Sequence, residues 1–111
     1  MSTATPTPPH IYVTPPDTDT AGDDGVASVT FTVPVGLQWT LTRIAVSSTS
    51  AYPTDALVTV NGIFQLGTGA GNGDSATGNP MPIQQGSEIT VTWNGCSPGA
   101  VCTATLTYTL T

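Results

Sequence analysis

The chain contains very little charge. Asp, Glu, Lys and Arg make up 7% of its 111 residues, against roughly 25% in an average globular protein. Lysine is absent, Arg43 is the only strong cation, and seven acidic residues leave a net charge of −6. A surface with one cation cannot displace counterions from a phosphate backbone, which excludes nucleic acid as a partner. An anionic membrane surface is disfavoured on the same ground.

Other scarcities narrow the chemistry. The single histidine, His10, lies beside Pro9 in a proline-rich stretch, where nothing would orient it as a base. Without histidine or lysine in the folded part, no Ser-His-Asp set and no amine nucleophile can be assembled there. The one glutamate, Glu88, follows a Gly-Ser turn and would have to meet Asp55 or Asp74, both expected in loops, for paired-carboxylate work. Two cysteines with no such histidine do not make a tetrahedral zinc set. The expectation is a protein that is not an enzyme and needs no cofactor or metal. No run approaches the roughly 18 apolar residues of a membrane helix. Met1-Ser-Thr-Ala-Thr-Pro lacks a basic n-region and an apolar h-region, so synthesis in a cytoplasm without this export signal is expected.

What is abundant is proline, threonine, glycine and a period of two. Residues 1–25 read as a Pro/Thr-rich flexible arm, with Pro6, Pro8, Pro9, Pro15 and Pro16 favouring extended or polyproline backbone. Ile11-Tyr12-Val13 is an apolar island in this arm, with prolines on either side. Two placements suit it: an edge strand on its own domain, or a dock on a neighbouring subunit. Asp17-Thr-Asp19-Thr-Ala-Gly-Asp23-Asp24 approximates a calcium loop, but Ala21 and Ser28 occupy ligand positions. It reads as a solvated acidic linker.

Residues 26–111 read as one β-sandwich domain. Val29, Phe31 and Val33 alternate with polar residues, as do Leu37, Trp39 and Leu41. The next apolar pair, Ile44 and Val46, has the opposite parity, which predicts a β-bulge near Thr42-Arg43. Ala56, Val58 and Val60 lead into Asn61-Gly62, a strong hairpin signal. Gly67 to Pro80 is glycine-rich without periodicity and reads as a long loop, with Met81-Pro82-Ile83 a short edge piece. Ile89, Val91 and Trp93 alternate again, and Cys102 to Leu110 alternates with threonine throughout. No segment has helical apolar spacing. Six to eight short strands with Gly/Pro/Asn turns indicate an all-β antiparallel β-sandwich, jelly-roll-like, with an extended N-terminal arm.

Cys96 and Cys102 flank the connection between the last two strands, and a disulfide across that hairpin is one expectation. It requires a bulge, for which Gly95 is well placed, to keep Trp93 on the side of Ala104 or Leu106. Trp39, Trp93 and Tyr108 are in phase with aliphatic residues and read as core, while Tyr52, before Pro53, reads as exposed. The alternative is a sugar-stacking platform.

From Val29 to Leu110 the chain resembles small β-sandwich virion proteins of tailed bacteriophages. The resembling stretches are Phe31-Thr-Val-Pro, Trp39-Thr-Leu-Thr-Arg-Ile-Ala-Val-Ser, Val58-Thr-Val-Asn-Gly, and Gly86-Ser-Glu-Ile-Thr-Val-Thr-Trp-Asn-Gly. The resemblance implies a capsid decoration (cement) protein on the outer surface of a head, or a minor tail, fibre or baseplate module. It further implies the major capsid protein or another virion protein as partner, and a homo-oligomer, with a trimer favoured. Pro8, Pro9, Ile11, Tyr12 and Val13 would supply the docking arm, and Arg43 an ion pair to a neighbouring subunit. The competing place for Arg43 is beside Asp55 or Glu88 of its own chain. A carbohydrate-binding module is the further alternative.

Overall fold

The computed structural model describes residues 11–67 and 73–110. It is all-β, with nine strand segments: β1 (Ile11–Val13), β2 (Asp17–Thr20), β3 (Ala27–Thr32), β4 (Trp39–Ser48), β5 (Asp55–Val60), β6 (Ile63–Gly67), β7 (Gly73–Ile83), β8 (Glu88–Asn94) and β9 (Val101–Leu110). One sheet has the order β1-β9-β4-β7, with β2 also on β9; the other has the order β3-β8-β5-β6. Among the described residues these strand pairings are antiparallel. With β1 and β2 counted as one broken edge strand, two four-strand sheets are wound together as a jelly roll.

The alternating pattern decides which side chains fill the space between the sheets. Ala27, Val29, Phe31, Ala56, Val58, Ile89, Val91 and Trp93 enter from one layer, and Leu41, Ile44, Val46, Cys102, Ala104 and Leu106 from the other; all are buried. Trp93 lies directly opposite Ala27 on one side and Ala56 on the other. The two alanines leave room for the indole on the central strand, the alternation of large and small that dense cores need. Threonine covers the outward positions, and opposite residues Thr30 and Thr90 bring their hydroxyls to 3.1 Å.

The parity change in β4 is a register shift between Leu41 and Arg43, present against both β7 and β9. One extra residue turns Ile44 and Val46 back to the core. Asn61 and Gly62 form the β5–β6 turn with φ of 52° and 82°, the left-handed pair of a type I′ turn.

The Ile11–Val13 island takes the first of its two placements, an edge strand on β9 of its own domain. Thr14 extends the pairing. Its N–H donates to the Leu106 carbonyl at 2.9 Å, and its Oγ1 accepts from the Leu106 N–H at 2.9 Å. The hydroxyl thus stands in for a strand carbonyl just before Pro15-Pro16 turns the backbone. Pairing resumes with Asp17 opposite Ala104, so the two prolines share the space opposite Thr105. Asp19 then accepts the Ser28 N–H at 2.9 Å, tying β2 to the edge of β3 in the other sheet.

Two sequence expectations are corrected. Gly73–Pro80 is not loop but part of β7, continuous with Met81-Pro82-Ile83. Gly73–Ala76 and Met81–Ile83 pair with β4, residues 77–80 span the register shift between them, and residues 68–72 of the expected loop lie outside the described residues. Backbone pairing on an edge needs no apolar alternation, so the period-two signal is missing there. The β8–β9 connection is not a hairpin: the two strands lie in different sheets. No Gly95 bulge is needed, because Trp93 and Leu106 face the same core from opposite layers.

Candidate functional site

The two ends of the jelly roll differ in chemistry. At one end β3 and β5 finish and β4 and β6 begin, and the connections are 33–38, the Asn61-Gly62 turn and 84–87. These three are bound to one another. Val33 and Ser87 share an N–H···O bond of 2.9 Å, and Gly86 donates back to Val33 at 2.8 Å. Asn61 donates its backbone N–H to the Glu88 carbonyl at 2.9 Å, while its Oδ1 accepts the Glu88 N–H at 2.9 Å. Its side-chain amide reaches the Ser87 hydroxyl at 3.3 Å, and Gly36 donates to the Gln85 side chain.

This braced end carries apolar side chains in water. Val35 is 86% exposed, Ile63 67%, Phe64 60% and Leu37 41%. Ile11 and Leu110, also exposed, sit at the same end, since β1 begins there and β9 ends there. Between the 33–38 and 84–87 segments lies an open cleft of about 410 Å³, lined by Gly36, Leu37, Gln38, Gln84 and Gln85. Its lining is amide and apolar. Single exposed apolar residues are ordinary, but a group gathered on bound loops marks an interaction surface.

The carboxylates are elsewhere. Of the seven acidic residues only Glu88 lies at the apolar end. Asp17, Asp19, Asp23, Asp24, Asp55 and Asp74 lie from mid-sheet to the opposite end. Among the described residues, those of the acidic linker form no cluster of three or more that could hold a metal ion. Asp17 accepts the Thr18 N–H, Asp19 that of Ser28, and Asp24 that of Val26. Arg43 stands exposed on β4, in the sheet opposite that of Asp55 and Glu88.

Aromatic residues divide as the phase predicted. Trp39 is 6% exposed, Trp93 is fully buried, and Tyr52 is 59% exposed. Tyr108 packs against the core and forms the middle of a stack, with Trp39 at 3.9 Å and Tyr12 at 5.5 Å between ring centroids. The stack holds β1 onto the body; it leaves no tryptophan face for a sugar. Among the described residues, the Trp39 Nε1–H has no hydrogen-bond partner. Pro8, Pro9 and His10 fall outside the described residues, while Ile11 and Val13 face solvent.

The apolar end escaped the sequence reading. Its signal was the Ile63-Phe64 pair, since adjacent apolar residues in a strand cannot both face the core. Leu37 carried none, because it read as the start of the following strand, whereas it lies before β4 begins.

Cys96 and Cys102 are both buried, with their Sγ atoms 3.8 Å apart as free thiols. Cys102 also lies 3.4 Å from the Ser48 hydroxyl. Burial, and then the neighbouring Cys102, push the Cys96 thiol above its ordinary range.

No family model matches this chain, and no curated protein does. Among solved structures, it is similar to the Drosophila NLP core, described in terms of pentamer formation and histone binding, at 18% identity and a TM-score of 0.43. The match covers 87% of this chain and 96% of that one. This corrects the expectation drawn from the phage resemblance: the neighbour is a histone-binding, pentamer-forming core, not a virion protein. The capsid decoration role, its tail, fibre and glycan-binding alternatives, the capsid partner and the trimer are therefore set aside. A likeness this distant transfers no function of its own.

Proposed function

We propose that this chain is a non-catalytic module that works by protein–protein contact, using the apolar end of the jelly roll, and that the surface it meets there is the same end of a second copy. The observation that carries this reading is the exposure of Val35 and Leu37 on the 33–38 connection and of Ile63 and Phe64 at the start of β6, at an end whose connections are bonded to one another. Bound loops lose little freedom on association, so burying these side chains yields affinity at a small ordering cost.

Charge favours a second copy as occupant. An end-to-end pair brings together surfaces on which, among the described residues, Glu88 is the one acidic side chain, and it holds the six aspartates of each copy at or beyond mid-sheet. At physiological salt, exposed charges separated by more than about 8 Å are largely screened. The net charge of −6 therefore opposes this orientation only weakly. The cleft at the same end, lined by Leu37 and three glutamines, offers contact and amide hydrogen bonds and supplies no acid, base or nucleophile.

The test is light-scattering mass as a function of concentration, for the native chain and for Ile63→Ser/Phe64→Ser. Both side chains already face water, so the double variant is expected to keep its circular dichroism spectrum and unfolding midpoint. The native chain should move from one copy to two as concentration rises, and the variant should remain at one. A native chain that stays single throughout, or a variant that pairs as well as the native chain, would overturn the proposal.

A further inference from the structure

Cys96 and Cys102 are six positions apart in sequence but belong to different layers of the fold. Cys102 is the second residue of β9 and points into the core from one sheet. Cys96 lies two residues beyond the end of β8, which belongs to the other sheet. Their sulfurs meet at 3.8 Å, both buried, at the end of the jelly roll opposite the apolar one. A disulfide needs the sulfurs at about 2.05 Å, a small approach for two side chains already in contact.

The surroundings hold the pair in place. The Cys96 N–H donates to the Gly25 carbonyl at 3.0 Å. The following turn is fixed by Ala100 to Ser97 at 3.1 Å, Gly99 to the Ala21 carbonyl at 2.9 Å, and Ala21 to the Ala100 carbonyl at 2.8 Å. The Ser97 N–H donates to the Ser50 hydroxyl at 2.9 Å, and Ala51 donates to the Ser97 hydroxyl at 3.0 Å. Neither cysteine has another cysteine in the chain to compete for it.

We infer that Cys96 and Cys102 form an oxidisable pair whose disulfide staples one sheet of the jelly roll to the other. The oxidant is a small-molecule disulfide. One cysteine, as thiolate, attacks a sulfur of that reagent, forming a mixed disulfide and expelling one thiolate. The second cysteine, as thiolate, attacks the protein sulfur of the mixed disulfide, forming the Cys96–Cys102 bond and expelling the other thiolate. Two electrons pass to the reagent, and the protons lost by the cysteines end on its two thiols. In the folded protein both sulfurs are buried, so the first attack waits on opening of the 97–100 turn. The pair therefore oxidises during folding or slowly afterwards.

The experiment refolds the full chain from denaturant in oxidised glutathione and, separately, in excess dithiothreitol. Free thiols are counted in denaturant, and mass is read on the intact chain and on a digest. The oxidised sample should show no free thiol, the mass of the reduced chain less two hydrogens, and a single Cys96–Cys102 linked fragment. Its thermal midpoint should exceed that of the reduced sample by roughly 5–15 °C, the scale for a short cross-linked loop in a domain of this size. Cys102→Ser should give the same midpoint in both conditions. Retention of both thiols, capture only as glutathione adducts or intermolecular dimers, or a cross-linked chain with an unchanged midpoint would each overturn the inference. If the serine variant does not fold, the fragment and the native chain's two midpoints still decide it.

Discussion

Removing the Thr14 hydroxyl isolates what one side-chain oxygen contributes to this fold. Thr14→Val preserves the volume and the branched Cβ, but deprives the Leu106 N–H of the hydroxyl acceptor 2.9 Å away. Thr14 is 7% exposed and Leu106 fully buried, so water cannot replace the acceptor while the edge strand stays in place. A buried donor left unpaired costs about 1–3 kcal/mol. If instead residues 11–16 lift from β9 and let water in, the loss is capped at the free energy that holds that segment down. Urea unfolding should show the midpoint falling with the slope retained. Native-state hydrogen exchange should show the Leu106 amide exchanging about 5- to 150-fold faster, the same range expressed as a ratio. Thr14→Ser keeps the acceptor and should protect Leu106 nearly as the native residue does. If Thr14→Val unfolds at the native urea concentration with Leu106 equally protected, the hydroxyl is not what joins β1 to β2 across the two prolines.

Gly25→Ala should lower stability by about 1–3 kcal/mol from backbone strain at φ +74°, and further because the new Cβ would lie 2.8 Å from the Cys96 carbonyl oxygen. Gly36→Ala, at φ +92° but in open space, should cost less, and chemical denaturation of the pair checks the ordering. Trp93→Ala leaves a void between Ala27 and Ala56 and should cost roughly 3–5 kcal/mol, read by thermal unfolding. For the reduced protein, the raised Cys96 thiol makes the unfolded chain release its proton first as pH rises past roughly 8.5. The unfolded state then binds fewer protons than the folded one, so stability falls with increasing pH in that range and is unaffected by this group below it. Urea midpoints taken from neutral to alkaline pH should show the decline, and Cys96→Ser should remove its share of it.

Legibility in the sequence followed the strength of the local signal. The β4 bulge was legible because Leu41 and Ile44 break the period by one, and no single strand can keep both in the core otherwise. Asn61-Gly62 was legible because few residue pairs accept two consecutive positive φ angles. Trp39 and Trp93 were legible as core because each stands in phase with aliphatic neighbours. β7 was not legible: Gly73 to Pro80 offers no apolar face, and the pairing of Gly73–Ala76 and Met81–Ile83 with β4 is what makes the segment a strand. The β8–β9 connection misled for a related reason, since a short turn between two alternating runs serves a hairpin and an inter-sheet crossing equally well.

By itself, then, the sequence determined everything that rests on period and composition. That comprises an all-β chain, the inward faces of β3, β4, β5, β8 and β9, the turn at Asn61-Gly62, and a surface nearly free of cations. These follow from residue type and nearest neighbours, which the chain carries wherever it goes. Tertiary structure alone decided which strands became neighbours. That choice laid Ile11–Val13 along β9, brought Cys96 to Cys102 from opposite layers, and collected Val35, Leu37, Ile63 and Phe64 on one end with the aspartates kept away from it. Such groupings depend on how the strands are wound into two sheets, where residues as distant in sequence as Ile11 and Thr109 become neighbours and no local pattern records it.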